Sequence, residues 1–183
     1  MDPDLNKSIA GNRLAALSNG ILDILFRKGM EDLDLSPAQV SVLVLVDYMP
    51  GISIEECRSA LSLSHSYLVR LVESLQNQGL IEKSKRDSDK RAIHLDLTEE
   101  GKKRINLYHT KREKAMEEIM GLLGADQQRA LEDITNTLLA YFPEGEKRSA
   151  QICRYCEMRP CHLENCPVGL GDQFFKEGKF HSN

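Results

Sequence analysis

The sequence predicts a mainly α fold with one small β-hairpin, a winged helix-turn-helix set between flanking helical arms. Three observations predict it. A nearly all-apolar run, "VSVLVLV" from Val40 to Val46, sits between a helix-start signal at Ser36-Pro37 and a breaker at Pro50-Gly51. Two short amphipathic segments then follow each other across a tight turn. After Gly79 the apolar period changes from helical to alternating.

Each element follows from its residues. Leu14, Leu17, Ile21, Leu22 and Leu25 make an apolar stripe at helical spacing over residues 13–28. Ser36 is placed to cap the next helix, with Pro37 in its first turn, and the run through Tyr48 is apolar on most sides and so predicted to be buried. Ser53-Ile54-Glu55-Glu56 fits a capping box that starts a short helix ending near Ala60 or Leu61. Beyond the turn "SLSH", Leu68, Leu71, Val72 and Leu75 form the buried stripe of a second short helix, with Gly79 at its C-terminal cap. "LIEKSK" and "RAIHLDLT" read as two strands, Ile93, Leu95 and Leu97 alternating with His94 and Asp96, and the charged "RDSDKR" joins them. Thr98 caps a long helix that opens on Glu99 and Glu100 and is expected to run to Leu123, with Gly124 as its stop. A last helix carries Leu131, Ile134, Leu138 and Leu139 and ends near Phe142-Pro143; "PEGEKRSAQ" reads as a polar break.

Composition bounds the function. The chain has 183 residues and a formal net charge of -4, so any surface for a polyanion must be local. Its opening "MDPDLNKSIA" lacks the pattern of a secretory leader, and Val40–Val46 is far too short to span a bilayer; the expected location is cytoplasmic, with no membrane partner. The histidines are scattered at 65, 94, 109, 162 and 181, and there is no H-E-x-x-H, glycine-rich phosphate loop or nucleophile elbow, so no enzyme is expected.

The segment "LSLSHSYLVRLVESLQNQGLIEKSKRDSDKRAIHLDLTEEGK", residues 61–102, resembles the core of MarR-type transcriptional regulators. The matching positions are Ser64, Ser66, Arg70, Leu71, Val72, Leu75, Gly79 and Leu80 in the helix and its exit. Asp89 and Arg91 match in the wing, and Leu97, Thr98 and Gly101 at the start of the next helix. The resemblance extends over roughly residues 10–142. It implies a dimerisation arm at 1–35, a winged helix-turn-helix DNA-binding domain at 36–98, dimerisation helices at 99–142, and a separate linker and cysteine-rich tail at 143–183. It also implies a homodimeric repressor on double-stranded DNA, and a small anionic or phenolic inducer that no residue here identifies. A two-fold dimer places its recognition helices about one helical turn, ~34 Å, apart on a pseudo-palindromic operator.

Site residues follow position by position. Ser64, His65, Ser66 and Tyr67 stand at the start of the recognition helix, the end that meets base edges and phosphates, and Arg70 lies one turn on. Lys85, Arg86, Lys90 and Arg91 make the wing basic, suited to phosphates and a narrow minor groove, and Asp89 is expected to brace the hairpin against Arg91. His65 and Tyr67 depart from the family's usual residues, so base preference does not carry over. A protein-interaction module without DNA binding is the other class to test.

The tail holds four of the chain's five cysteines, spaced Cys153-x2-Cys156-x4-Cys161-x4-Cys166. Four thiolates can converge tetrahedrally on zinc at about 2.3 Å, and this spacing is similar to that of a zinc knuckle, with Cys161 where a histidine stands there. His162 is an alternative ligand, and Cys166-Pro167 also fits the ending of iron–sulfur binding runs. A closed four-sulfur zinc site would be structural, whereas a labile metal, a cluster or a thiol switch would make the tail a sensor. Cys57 stands alone on a short helix and reads as a core residue.

Overall fold

The computed structural model describes residues 3–86, 89–142, 146–157 and 167–168. Helix α1 (Pro3–Ile24) leads through a π-helical turn, Leu25–Gly29, to α2 (Pro37–Tyr48). Strand β1 (Ile52–Ser53), α3 (Ile54–Leu61) and α4 (His65–Asn77) follow, then β2 (Ile81–Arg86) and β3 (Asp89–Leu97). The long α5 (Glu99–Met120), α6 (Ala125–Leu139) and the short α7 (Glu146–Cys153) complete the order.

Capping side chains set the helix starts. The Ser36 hydroxyl accepts from the Gln39 amide while the Gln39 side chain accepts from the Ser36 amide, and Ser53 and Glu56 close the same box on α3. Thr98 Oγ1 accepts from the Gly101 amide at 3.0 Å and donates to the Gly79 carbonyl, which ties the start of α5 to the exit of α4. Gly79 itself has φ +69°, the left-handed geometry that ends a helix at little cost for glycine. Gly101 solves a packing problem, because a Cβ there would lie 2.0 Å from the Leu80 carbonyl oxygen.

Helix α2 is the hub of the core. Every residue from Gln39 to Val46 is buried, as its all-round apolarity predicts. Around it pack Leu68, Leu71, Val72 and Leu75 of α4, Leu95 and Leu97 of β3, and Ile105 and Tyr108 of α5.

Several expectations are corrected. The hairpin is part of a three-stranded antiparallel sheet, ordered β1-β3-β2, because Ile52 pairs with Leu95 and Ser53 with His94. Ile93 does not join the inward row; it is exposed, and only Leu95 and Leu97 are buried. Helix α5 stops at Met120, and Gly124 caps the start of α6 rather than ending the helix before it. Residues 146–153, which begin inside the supposed polar break and run past its end, form α7, which packs on α3 and buries Ala150 and Cys153.

The arms leave apolar surface uncovered within one chain. Leu14, Leu17 and Leu22 of α1 are 47%, 51% and 37% exposed, Ile134 of α6 is 55% exposed, and α6 has no buried residue. Apolar residues exposed in numbers on one element are the kind of surface that a partner covers. Among the described residues, no helix is long and apolar enough to cross a membrane.

Candidate nucleic-acid interface and cysteine tail

Helix α4 divides cleanly between core and solvent. Leu68, Leu71, Val72 and Leu75 face inward, while His65, Ser66 and Arg70 lie exposed and Tyr67 is 39% exposed. Ser66 and Arg70, four residues apart, share one outward face. Ser64 is the N-cap, its hydroxyl accepting from the Tyr67 amide at 3.3 Å. The same exposed face continues through Glu73 and Asn77, which sequence reasoning passed over because it stopped at the motif. Gln39 Nε2 donates to Ser74 Oγ at 3.1 Å, so a residue of the core helix sets the roll of α4.

The wing is the β2–β3 pair. Ile81 faces Leu97, Lys83 faces Leu95 and Ser84 faces His94, and the register shifts between Ser84 and Arg86, which lies opposite Asp89. His94 Nδ1 is 2.9 Å from the Gly51 carbonyl, which anchors the sheet to the end of α2. Lys85 is exposed. The side chains of Arg86, Asp89, Lys90 and Arg91 lie outside the described residues, and the expected Asp89–Arg91 brace with them.

The tail docks onto the body from two sides. On one, α7 lies on α3, and Gln151 Nε2 donates to Ser62 Oγ in the turn of the helix-turn-helix. On the other, the Tyr108 hydroxyl donates to the Tyr155 carbonyl at 2.9 Å, His109 Nδ1 lies 3.5 Å from Glu157 Oε2, and the Tyr155 ring meets Phe26 edge-on at 5.3 Å. Val168 is also buried with the core.

Of the four tail cysteines, the structure brings Cys153 and Cys156 together. The Cys156 amide donates to the Cys153 carbonyl at 2.8 Å, and the two thiols are hydrogen-bonded. That bond from Cys153, helped by the Arg112 guanidinium and opposed by burial, lowers the Cys156 thiol to about 6. Such a pair can supply two thiolate ligands from one turn. Cys161, Cys166 and His162 lie outside the described residues, and among the described residues no three His, Cys, Asp or Glu side chains converge as a metal site. Cys57 is fully buried in the core, and burial alone pushes its thiol up to about 12.

Comparison with known proteins agrees with this geometry. Residues 33–92 match the model of the MarR family. The transcriptional repressor MprA of Escherichia coli K12 is 28% identical over 97 residues, which cover 53% of this chain and 55% of MprA, so the match spans about half of that relative. Among solved structures, YusO of Bacillus subtilis superposes with a TM-score of 0.65 at 23% identity, over 75% of this chain and 97% of that one. Apo MarR from E. coli gives 0.60 at 26% identity, over 70% and 96%. The cysteine tail lies beyond the family match. Residues 33–92 are thus similar to the MarR family, and the fold as a whole is similar to that of solved winged-helix proteins of this type.

Proposed function

We propose that the chain is a cytoplasmic, homodimeric transcriptional repressor that binds a pseudo-palindromic DNA operator, with α4 in the major groove and the β2–β3 wing in the adjacent minor groove. The observation that carries this reading is α4 itself. It is a capped helix whose inner face is wholly committed to the core and whose outer face presents Ser66 and Arg70, next to a hairpin that carries the exposed Lys85. Its relatives and its fold are those of transcriptional regulators, which are not enzymes. The net charge of -4 is no obstacle, because counterion release depends on cations at the contact surface rather than on the total. Two copies meeting through α1 and α6 would cover the apolar surface that one copy leaves bare.

Cys153, Cys156, Cys161 and Cys166 would hold one metal ion, zinc in the first reading, as a closed site that folds the tail. The Cys153–Cys156 turn fits half of such a ligand set. An iron–sulfur cluster is the second reading, favoured by Cys166-Pro167.

Selection of bound sequences from a random duplex pool tests DNA recognition directly. The expected product is a two-fold sequence with half-sites about one helical turn, ~34 Å, apart, whose binding Arg70→Ala abolishes. Failure to enrich any sequence would leave the protein-interaction alternative standing.

A further inference from the structure

A cleft of about 530 Å3 opens at the seam between the tail and the helix-turn-helix. Ser62 and Leu63 of the turn and Tyr67 of α4 line one side; Gln151, Arg154 and Tyr155 of the tail line the other. The tail thus stands directly beside the end of α4 that points at DNA. We propose that it extends the DNA-binding surface, with Arg154 taking a backbone phosphate at the edge of the groove that α4 enters. The proposal rests on the reading of α4 as the DNA-contacting helix.

Three observations carry it. First, Arg154 is a cation without a carboxylate partner among the described residues, unlike Arg58 and Arg129, each paired with an acid on its own helix. One guanidinium nitrogen donates to the Gln151 carbonyl and the group lies 4.9 Å over the Tyr155 ring, so most of its five N–H donors remain for an anion. Second, it is held in place. Tyr155 is fixed by Tyr108 and Phe26, and Gln151 is tied to Ser62, so the cation is ordered before DNA arrives and loses little rotamer freedom on binding. Third, Ser62 and Gln151 put hydrogen-bonding side chains in the same cleft, the residue types that accompany Arg at phosphates.

A phosphate contact is independent of sequence, so a mixed-sequence duplex is a sufficient probe. Full-length wild type, Arg154→Gln, Arg154→Lys and Arg70→Ala are titrated with it by fluorescence anisotropy between 50 and 200 mM salt. The expected result is that Arg154→Gln weakens binding and lowers the salt slope by about 0.9 per chain, so that its ratio to wild type shifts by roughly 3.5-fold per lost contact across that range. Arg154→Lys keeps most of the slope. An unchanged slope in Arg154→Gln, while Arg70→Ala still weakens binding, overturns the tail contact and leaves the recognition helix in place. An equal loss in the Gln and Lys variants without a slope change makes Arg154 a packing residue and also overturns it. If Arg70→Ala binds like wild type while Arg154→Gln loses slope, the tail contact stands and the assignment of α4 fails.

Discussion

The phenol of Tyr108, fully buried on α5, donates a 2.9 Å hydrogen bond to the backbone carbonyl of Tyr155 in the tail. Helix α5 packs on the π-helical turn and on α2, whereas α7, a few residues before Tyr155, lies on α3 of the helix-turn-helix. The tail is therefore a bracket between α5 and the helix-turn-helix.

Tyr108→Phe removes the donor and keeps the ring, leaving the Tyr155 carbonyl without its partner. A buried group so orphaned costs about 1–3 kcal/mol. Burial pushes the Tyr108 hydroxyl pKa upward, so it stays protonated as the donor through the neutral range. The variant should lose several degrees in Tm, at roughly 2–4 °C per kcal/mol for a chain of this size. Hydrogen exchange should accelerate first in residues 146–157, while α4 keeps its protection; uniform acceleration across the chain would deny the tail a separate role.

Gly101→Ala should be among the most damaging single changes. The new Cβ would meet the Leu80 carbonyl oxygen at 2.0 Å, and that oxygen also accepts from the Thr98 amide at 3.1 Å. Neither backbone can yield without breaking the joint between α4 and α5. Overpacking of this kind costs about 1–3 kcal/mol, occasionally more, and rigid backbone on both sides places this site at the upper end. Urea unfolding measures it; a loss below about 0.5 kcal/mol, the range of ordinary surface substitutions, would mean that the two elements slide freely.

How much of this was legible in the sequence depended on how local each cause was. The stripe Leu68, Leu71, Val72 and Leu75, the Ser53–Glu56 box and the Thr98 cap are each decided within four to eight residues, and each sits where its spacing places it. Strand β1 is only two residues long, and its pairing partner Leu95 lies far along the chain, so no period could reveal it. Gly124 could stop one helix or start another, and spacing alone does not choose. Helix α7 was hidden because Ala150 and Cys153 are buried only by docking on the distant α3, and the tail's anchor, Tyr108 to Tyr155, spans 47 residues. The exposed face of α4 could be placed from the sequence; the cleft beside it could not, since tertiary docking builds its second wall.

Cys57 supplies a pH dependence with a defined sign. Burial pushes its thiol up from 9.0 to about 12 in the folded chain, so the folded state holds the proton more tightly than the unfolded one. The stability this contributes is complete below about pH 9 and is lost as pH rises from 9 toward 12, at about 1.4 kcal/mol per unit for one group. Cys57→Ala removes the titration. The gap in stability between wild type and variant should therefore narrow between pH 8 and pH 10.5, and a constant gap would mean that Cys57 does not titrate on unfolding.

Leu17→Glu tests the arm. Leu17 is 51% exposed in one chain, so a carboxylate there costs a lone copy almost nothing. Buried against a second copy it would face apolar neighbours without a partner, at a cost of several kcal/mol. Sedimentation should show a folded monomer in place of a dimer, with specific DNA affinity falling along with it because one half-site contact is lost. A variant that stays dimeric would move the interface away from this stretch of α1.

Metal content decides what the tail cysteines do. Protein purified without air should carry one metal per chain, colourless zinc in the first reading, and Cys156→Ser should lose it because one of four thiolates is gone. Cys153 is buried with Ala150 against the body, so loss of metal should also loosen α7 and expose the 146–157 segment to protease. Brown protein with acid-labile sulfide would instead mark a cluster, and DNA affinity compared between oxidised and reduced forms would then show whether the bracket transmits its state to α4. Protein that binds neither, yet keeps its tail protected, would leave Cys153 and Cys156 as a thiol pair held by packing alone.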